Sequence, residues 1–127
     1  MTILVVDDSK AMRMIIRRTM REAGFHHKLV EASSAAQALT VLQSTQIDLI
    51  LSDWNMPEMN GMDLLVKLKT DGHAIKFGFV TSESSSEMQS TAKDAGAAFL
   101  ITKPFTPEAF RSALEPILGG GESQSSA

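Results

Sequence analysis

The stretch "LILSDWNMPEMNG", residues 49–61, runs three apolar residues into Ser52 and then into a carboxylate, Asp53. A tryptophan, a Met-Pro and an Asn-Gly follow. The run "IDLIL" at 47–51 is short and, Asp48 aside, apolar throughout. That pattern fits a strand in the middle of a parallel sheet covered by helices on both sides. An aspartate at the end of such a strand is set at the rim of the sheet, where open α/β folds bind ligands.

Working outward, four more strand-like runs appear: "TILVV" at 2–6, "KLVEA" at 28–32, "KFGFV" at 76–80 and "AAFLI" at 97–101. The second is the least apolar and suits an edge. The glycine in "KFGFV" weakens that strand signal. Helical patterns lie between and after them. The first runs from the N-cap residue Ser9 to the stop at Gly24, with Met12, Ile15, Ile16 and Met20 as its core stripe and arginines opposite. The next carries Ala35, Ala38, Leu39 and Leu42. A third carries Met62, Leu65 and Leu68 and closes on Gly72. The fourth, "SSSEMQSTAKDAG", is polar. The last opens on Thr106-Pro107, a favoured helix start, and Pro116 predicts fraying or a kink near its end. Five alternations of strand and helix predict an α/β domain with a parallel sheet and right-handed crossovers.

Composition agrees with this and excludes several functions. The 127 residues are 43% hydrophobic and 21% charged, ordinary for one globular domain. A net charge of −3 is of the wrong sign for a dedicated nucleic-acid binder. With no cysteine, disulfides and thiolate metal sites are ruled out. No apolar run approaches the ~20 residues of a membrane span, and the N-terminus lacks the basic region of a signal peptide. The expectation is a soluble, cytoplasmic protein with its domain at 1–118 and a flexible Gly/Ser-rich tail at 119–127.

The strand ends share one chemistry. The first strand ends in Asp7-Asp8, the third in Asp53, the fourth in Thr81 and the fifth in Lys103. Taken singly, Asp8 reads equally well as a helix cap, Thr81 reads better as one, and Lys103 reads as a solvated cation. Together they put three carboxylates, a hydroxyl and an ammonium on one rim. Like charges ~4 Å apart repel by roughly 4 kcal/mol at an effective dielectric of 20. Lys103 offsets only part of that, so the rim calls for a hard divalent cation. Mg²⁺ fits, because it tolerates few carboxylates and accepts phosphate oxygens. A carboxylate nucleophile beside a metal, a hydroxyl and a lysine is a phosphoryl-transfer arrangement. Aspartate is ionised at neutral pH and needs no general base.

"VVDDSKAMR", "DLILSDWNMPEMNGMDLL", "VTSE" and "ITKPFT" resemble, in order and spacing, the motifs of response-regulator receiver domains. Within that family they are similar to single-domain chemotaxis regulators of the CheY type. The resemblance covers residues 1 to about 118. It implies a doubly wound, flavodoxin-like fold of five parallel strands in the order 2-1-3-4-5 with five helices. It also implies that Asp53 accepts a phosphoryl group from the phosphohistidine of a histidine kinase. Asp7, Asp8, Asp53 and the backbone carbonyl of Asn55 would hold Mg²⁺. Thr81 and Lys103 would contact the phosphoryl oxygens, with a cis bond between Lys103 and Pro104. The side chains of Asn55 and Glu83 would modulate dephosphorylation. The family usually has an aromatic switch residue where this chain has Leu100. Phe99 cannot replace it, since neighbours on a strand face opposite ways. The expected output surface is the fourth helix, fifth strand and fifth helix, with the downstream partner unspecified.

Other residues read more plainly. Trp54 is expected to be a partly exposed loop aromatic and a fluorescent reporter. His26 and His27 diverge and form no metal pair. Arg13, Arg17, Arg18 and Arg21 make a solvated basic face, where receivers of this family also meet the kinase. Two other functions compete. A haloacid-dehalogenase-type phosphatase would need a second aspartate at Asn55. A receiver excised from a longer regulator would look the same over these residues, since nothing after 118 resembles an output domain.

Overall fold

The computed structural model describes residues 1–82, 85–102 and 105–118. Five strands, β1 (Thr2–Val6), β2 (Lys28–Ala32), β3 (Leu49–Ser52), β4 (Lys76–Thr81) and β5 (Phe99–Thr102), form one parallel sheet in the order β2-β1-β3-β4-β5. Five helices alternate with them: α1 (Lys10–Glu22), α2 (Ala35–Ser44), α3 (Gly61–Thr70), α4 (Ser86–Asp94) and α5 (Pro107–Leu118). This is the expected doubly wound architecture, with the polar "KLVEA" strand at the edge.

Alternation along the strands divides the core in two. Ile3, Val5, Leu49, Leu51, Val80 and Ile101 pack with Ile16 and Met20 of α1 and with Phe110 and Leu114 of α5. Leu4, Val6, Ile50, Phe77 and Phe79 face the other way, onto Ala35 and Ala38 of α2, Leu64, Leu65 and Leu68 of α3, and Ala92 of α4. Strands buried on both faces are why these segments are apolar throughout.

Local chemistry sets the helix ends. Ser9, Ser34, Asn60 and Ser85 each accept a hydrogen bond from a backbone N–H in the first turn of α1, α2, α3 and α4. Thr106 does the same for the N–H of Ala109 in α5. Gly24 follows α1 at φ +95°, a conformation suited to glycine.

Several expectations need correction. β3 begins at Leu49, although Ile47 is still buried. β4 extends to Thr81, and β5 spans Phe99–Thr102 rather than 97–101. Ile15 is 41% exposed, because the buried stripe of α1 runs through Ile16, Thr19 and Met20. Leu64, absent from the expected stripe of α3, is fully buried. α5 continues through Pro116 to Leu118, since its anchors Phe110, Leu114 and Leu118 lie on the buried face while Pro116 is exposed. Gly78 does not weaken β4. Its cross-strand partner is Phe99, whose ring fills the space a Cβ would need, 2.2 Å from it.

Candidate functional site

The parallel register brings the ends of β1, β3 and β4 together. Val6 pairs with Ser52, so Asp7 and Asp53 leave the sheet side by side, and the adjoining β4 runs two residues past Phe79, the partner of Ser52, to end at Thr81. The N–H of Asp53 donates to the carbonyl of Val6 at 2.9 Å, and that of Asp7 to the carbonyl of Ala32 at 3.1 Å. Ser52 is fully buried and its hydroxyl donates to the carbonyl of Asp53 at 2.8 Å.

Asp7, Asp8 and Asp53 converge: one carboxylate oxygen from each lies within 4.8 Å of the others. Among the described residues no other such group of acidic or imidazole ligands occurs, and neither His26 nor His27 belongs to it. The three differ in environment. Asp7 is only 3% exposed, Asp53 is half-buried and Asp8 is exposed. Burial pushes the Asp7 carboxyl up from an ordinary 3.8 to about 6, and the charges of Asp53 and Asp8 add to this. The N–H of Ser9, donating to Asp7 at 2.9 Å, and the nearby Arg13 oppose the shift. A carboxylate this costly to ionise is a ready ligand for a cation that removes the cost.

The three aspartates line a cavity of about 190 Å³ with Met12, Thr81, Ser82 and Phe105. Thr81 is 1% exposed and its hydroxyl has no hydrogen-bond partner. It is no helix cap, since Ser85 caps α4. Asp8 is likewise no cap, because Ser9 caps α1. A buried hydroxyl left unpaired costs about 1–3 kcal/mol, which a ligand oxygen in the cavity would recover. Hard oxygen donors, a net negative rim and an unpaired hydroxyl fit a divalent cation with a bound anion.

The N–H of Asn55 donates to Asp53 at 3.4 Å, and its side chain is exposed. Trp54 is half-buried, as expected, with its ring 4.7 Å from that of Phe79. Leu100 and Phe99 do face opposite sides: Leu100 packs on the Phe77–Phe79 cluster and Phe99 on the other. Both line a groove of about 370 Å³ between α4 and β5. The expectations for Glu83, Lys103, Pro104 and the tail at 119–127 fall outside the described residues.

Two features escaped the sequence reading. Arg13 and Arg17 are not a free solvated face. Both pair with Glu31 on β2, at 2.8 and 2.7 Å. Gly61, read only as part of a turn, packs against the backbone of Asp53. Sequence carries no direct signal for either contact, which joins residues on different elements.

The response regulator receiver domain family matches residues 3–115. A Campylobacter jejuni protein named Chemotaxis protein CheY homolog is 37% identical, over 100% of this chain and 99% of its own. Helicobacter pylori Chemotaxis protein CheY1 is 39% identical over 94% of this chain and 98% of its own. Among solved structures, the Vibrio cholerae chemotaxis protein CheY4 superimposes with a TM-score of 0.79 at 30% identity, covering 91% of this chain and 97% of that one. With a family match over residues 3–115 and a relative that matches along the whole chain, this chain belongs to the response regulator receiver domain family.

Proposed function

We propose that Asp53 is the phosphoacceptor of a two-component response regulator whose receiver spans residues 1–118. The family is a signalling switch rather than an enzyme acting on other molecules. The observation that carries the reading is the convergence of Asp7, Asp8 and Asp53 on one cavity with the unpaired hydroxyl of Thr81.

In the proposed step a carboxylate oxygen of Asp53 attacks the phosphorus of a phosphohistidine. The new O–P bond forms as the P–N bond breaks, and the imidazole keeps the electron pair and takes a proton from solvent. Asp7, Asp8, Asp53 and the carbonyl of Asn55 would hold Mg²⁺. When bound, it neutralises the rim and the charge on the transferring phosphoryl oxygens. Thr81 donates its hydroxyl to one of those oxygens, and Lys103 balances another. The backbone bond from Asp53 to Val6 fixes the acceptor's main chain at the strand end, so catalysis is mainly positioning. Water later hydrolyses the acyl phosphate, with the side chains of Asn55 and Glu83 governing its approach.

Capture of the phosphoryl group by Thr81 would propagate through β4 to the groove at Leu100, and the family resemblance adds Pro104 to the same switch. Leucine replaces the aromatic that the family resemblance implies, so ring rotation cannot carry the signal there. The names of the relatives support a chemotaxis-type regulator. The partner upstream is a histidine kinase. Among the described residues no helix is long and apolar enough to cross a membrane, and the likeness to chemotaxis proteins supports a cytoplasmic setting. Asn55 stands where a haloacid-dehalogenase-type phosphatase needs an aspartate, and that reading is not favoured.

Incubation with acetyl phosphate and intact-mass measurement tests the proposal. A single adduct of ~80 Da that needs Mg²⁺ and disappears in Asp53→Asn is expected. Failure to form it with any small-molecule donor would overturn the assignment.

A further inference from the structure

We infer that Arg13 is a positioning residue for Asp7 and Asp8, holding the peptide between them from an anchor on Glu31. The inference rests on the reading of these carboxylates as cation ligands. Arg13 lies in the first turns of α1, and its side chain is only 13% exposed. Its Nη1 donates to the carbonyl oxygen of Asp7 at 2.6 Å, and its Nε donates to Glu31 at 2.8 Å.

The carbonyl of Asp7 belongs to the peptide bond that joins it to Asp8. A peptide is planar, so fixing its oxygen fixes the plane from which both Cα atoms depart. The N–H of Asp7 is already held by the carbonyl of Ala32 on β2. Arg13 ties the other side of the residue to Glu31 on the same strand. Both backbone groups of Asp7 are therefore referenced to β2, one directly and one through the guanidinium. The rigid, forked geometry of arginine allows two such bonds at once, and lysine is a point charge on a flexible stem. Arg17 donates to the other oxygen of Glu31 at 2.7 Å and makes no hydrogen bond to Asp7.

Positioning and simple electrostatics predict opposite signs. A guanidinium beside an acidic site repels an incoming cation, so removing its charge would by itself tighten cation binding. Loss of positioning would loosen it. Calorimetric titration of Mg²⁺ into the purified wild-type chain, Arg13→Gln, Arg13→Lys and Arg17→Gln separates the two, with thermal unfolding run on each. Positioning predicts roughly tenfold weaker binding for both Arg13 variants, the scale seen when a residue that orients a metal ligand is lost. Arg17→Gln, which loses a Glu31 partner but no Asp7 contact, keeps wild-type affinity. Arg13→Lys carries the test if Arg13→Gln does not fold. Tighter binding in Arg13→Gln, or wild-type affinity in Arg13→Lys, would overturn the inference alone. A wild-type chain without Mg²⁺ affinity would overturn the cation reading and this inference with it.

Discussion

The Cβ that Gly61 lacks would lie 2.1 Å from the carbonyl oxygen of Asp53 and 3.0 Å from the ring of Phe79. The N–H of Gly61 also donates to the carbonyl of Trp54 at 2.9 Å. The start of α3 is thus packed directly onto the backbone of Asp53, the proposed acceptor, and only glycine allows that approach. Gly61→Ala should cost about 1–3 kcal/mol, the usual range for forced overpacking. It should also slow phosphorylation by acetyl phosphate, because the carboxylate is displaced with its backbone. Urea unfolding and a phosphorylation time course would check both.

Asp7 makes stability depend on pH in the sense opposite to most acids. Its carboxyl is raised from 3.8 to about 6 in the fold. Between those values the native state binds more protons than the unfolded chain, so stability falls as pH rises through the window. Two pH units of displacement correspond to about 3 kcal/mol at full extent. In chelator, Asp7→Asn should be more stable than wild type at pH 7.5, and the difference should vanish near pH 3.5. Thermal melts across this range would show it. Mg²⁺ should raise the wild-type melting temperature at pH 7.5 and do less below pH 6.

Thr81 should trade stability for response. Its buried, unpaired hydroxyl is a liability in the free protein. Thr81→Val should therefore stabilise the unphosphorylated chain by about 1 kcal/mol. The same change should weaken the response to a phosphoryl mimic such as beryllofluoride. Trp54, stacked near Phe79 and next to Asp53 in the chain, supplies the fluorescence signal.

Glu31 behaves in the ordinary direction. Hydrogen bonds from Arg17 and then Arg13 hold its carboxyl below the usual 4.5. Its contribution is present above the unfolded value and lost as pH falls below 4.5 through the folded one. Glu31→Gln should cost about 1 kcal/mol at pH 7, as expected for a partly exposed pair. The deficit should shrink as the pH is lowered through this acidic range, read from denaturation midpoints.

Glu58 sits at φ +65°, where side chains other than glycine and asparagine are strained. Glu58→Gly should raise stability by about 0.5 kcal/mol, the strain relief exceeding the added chain entropy. A shift of the urea midpoint without a change in slope would confirm it.

Much of the architecture was legible in the chain. Five apolar runs, each bounded by capping or turn residues, specify strands and helices through interactions a few residues long. The acids at Asp7, Asp8 and Asp53 could be read as one site because every parallel strand ends on the same rim. The strand ends themselves were misjudged by one or two residues, since pairing sets them. The 3.6-residue period likewise placed Ile15 in the core and omitted Leu64, because it locates a stripe and not its edges.

Other properties required the folded chain. The approach of Gly61 to Asp53, the ring of Phe99 over Gly78 and the grip of Arg13 on Asp7 each join segments that meet only through sheet register and helix packing. The sequence specified which chemical groups were available at the rim. Tertiary packing settled which were buried, which were paired and which, like Thr81, were left unsatisfied, because desolvation and hydrogen-bond geometry depend on neighbours distant along the chain.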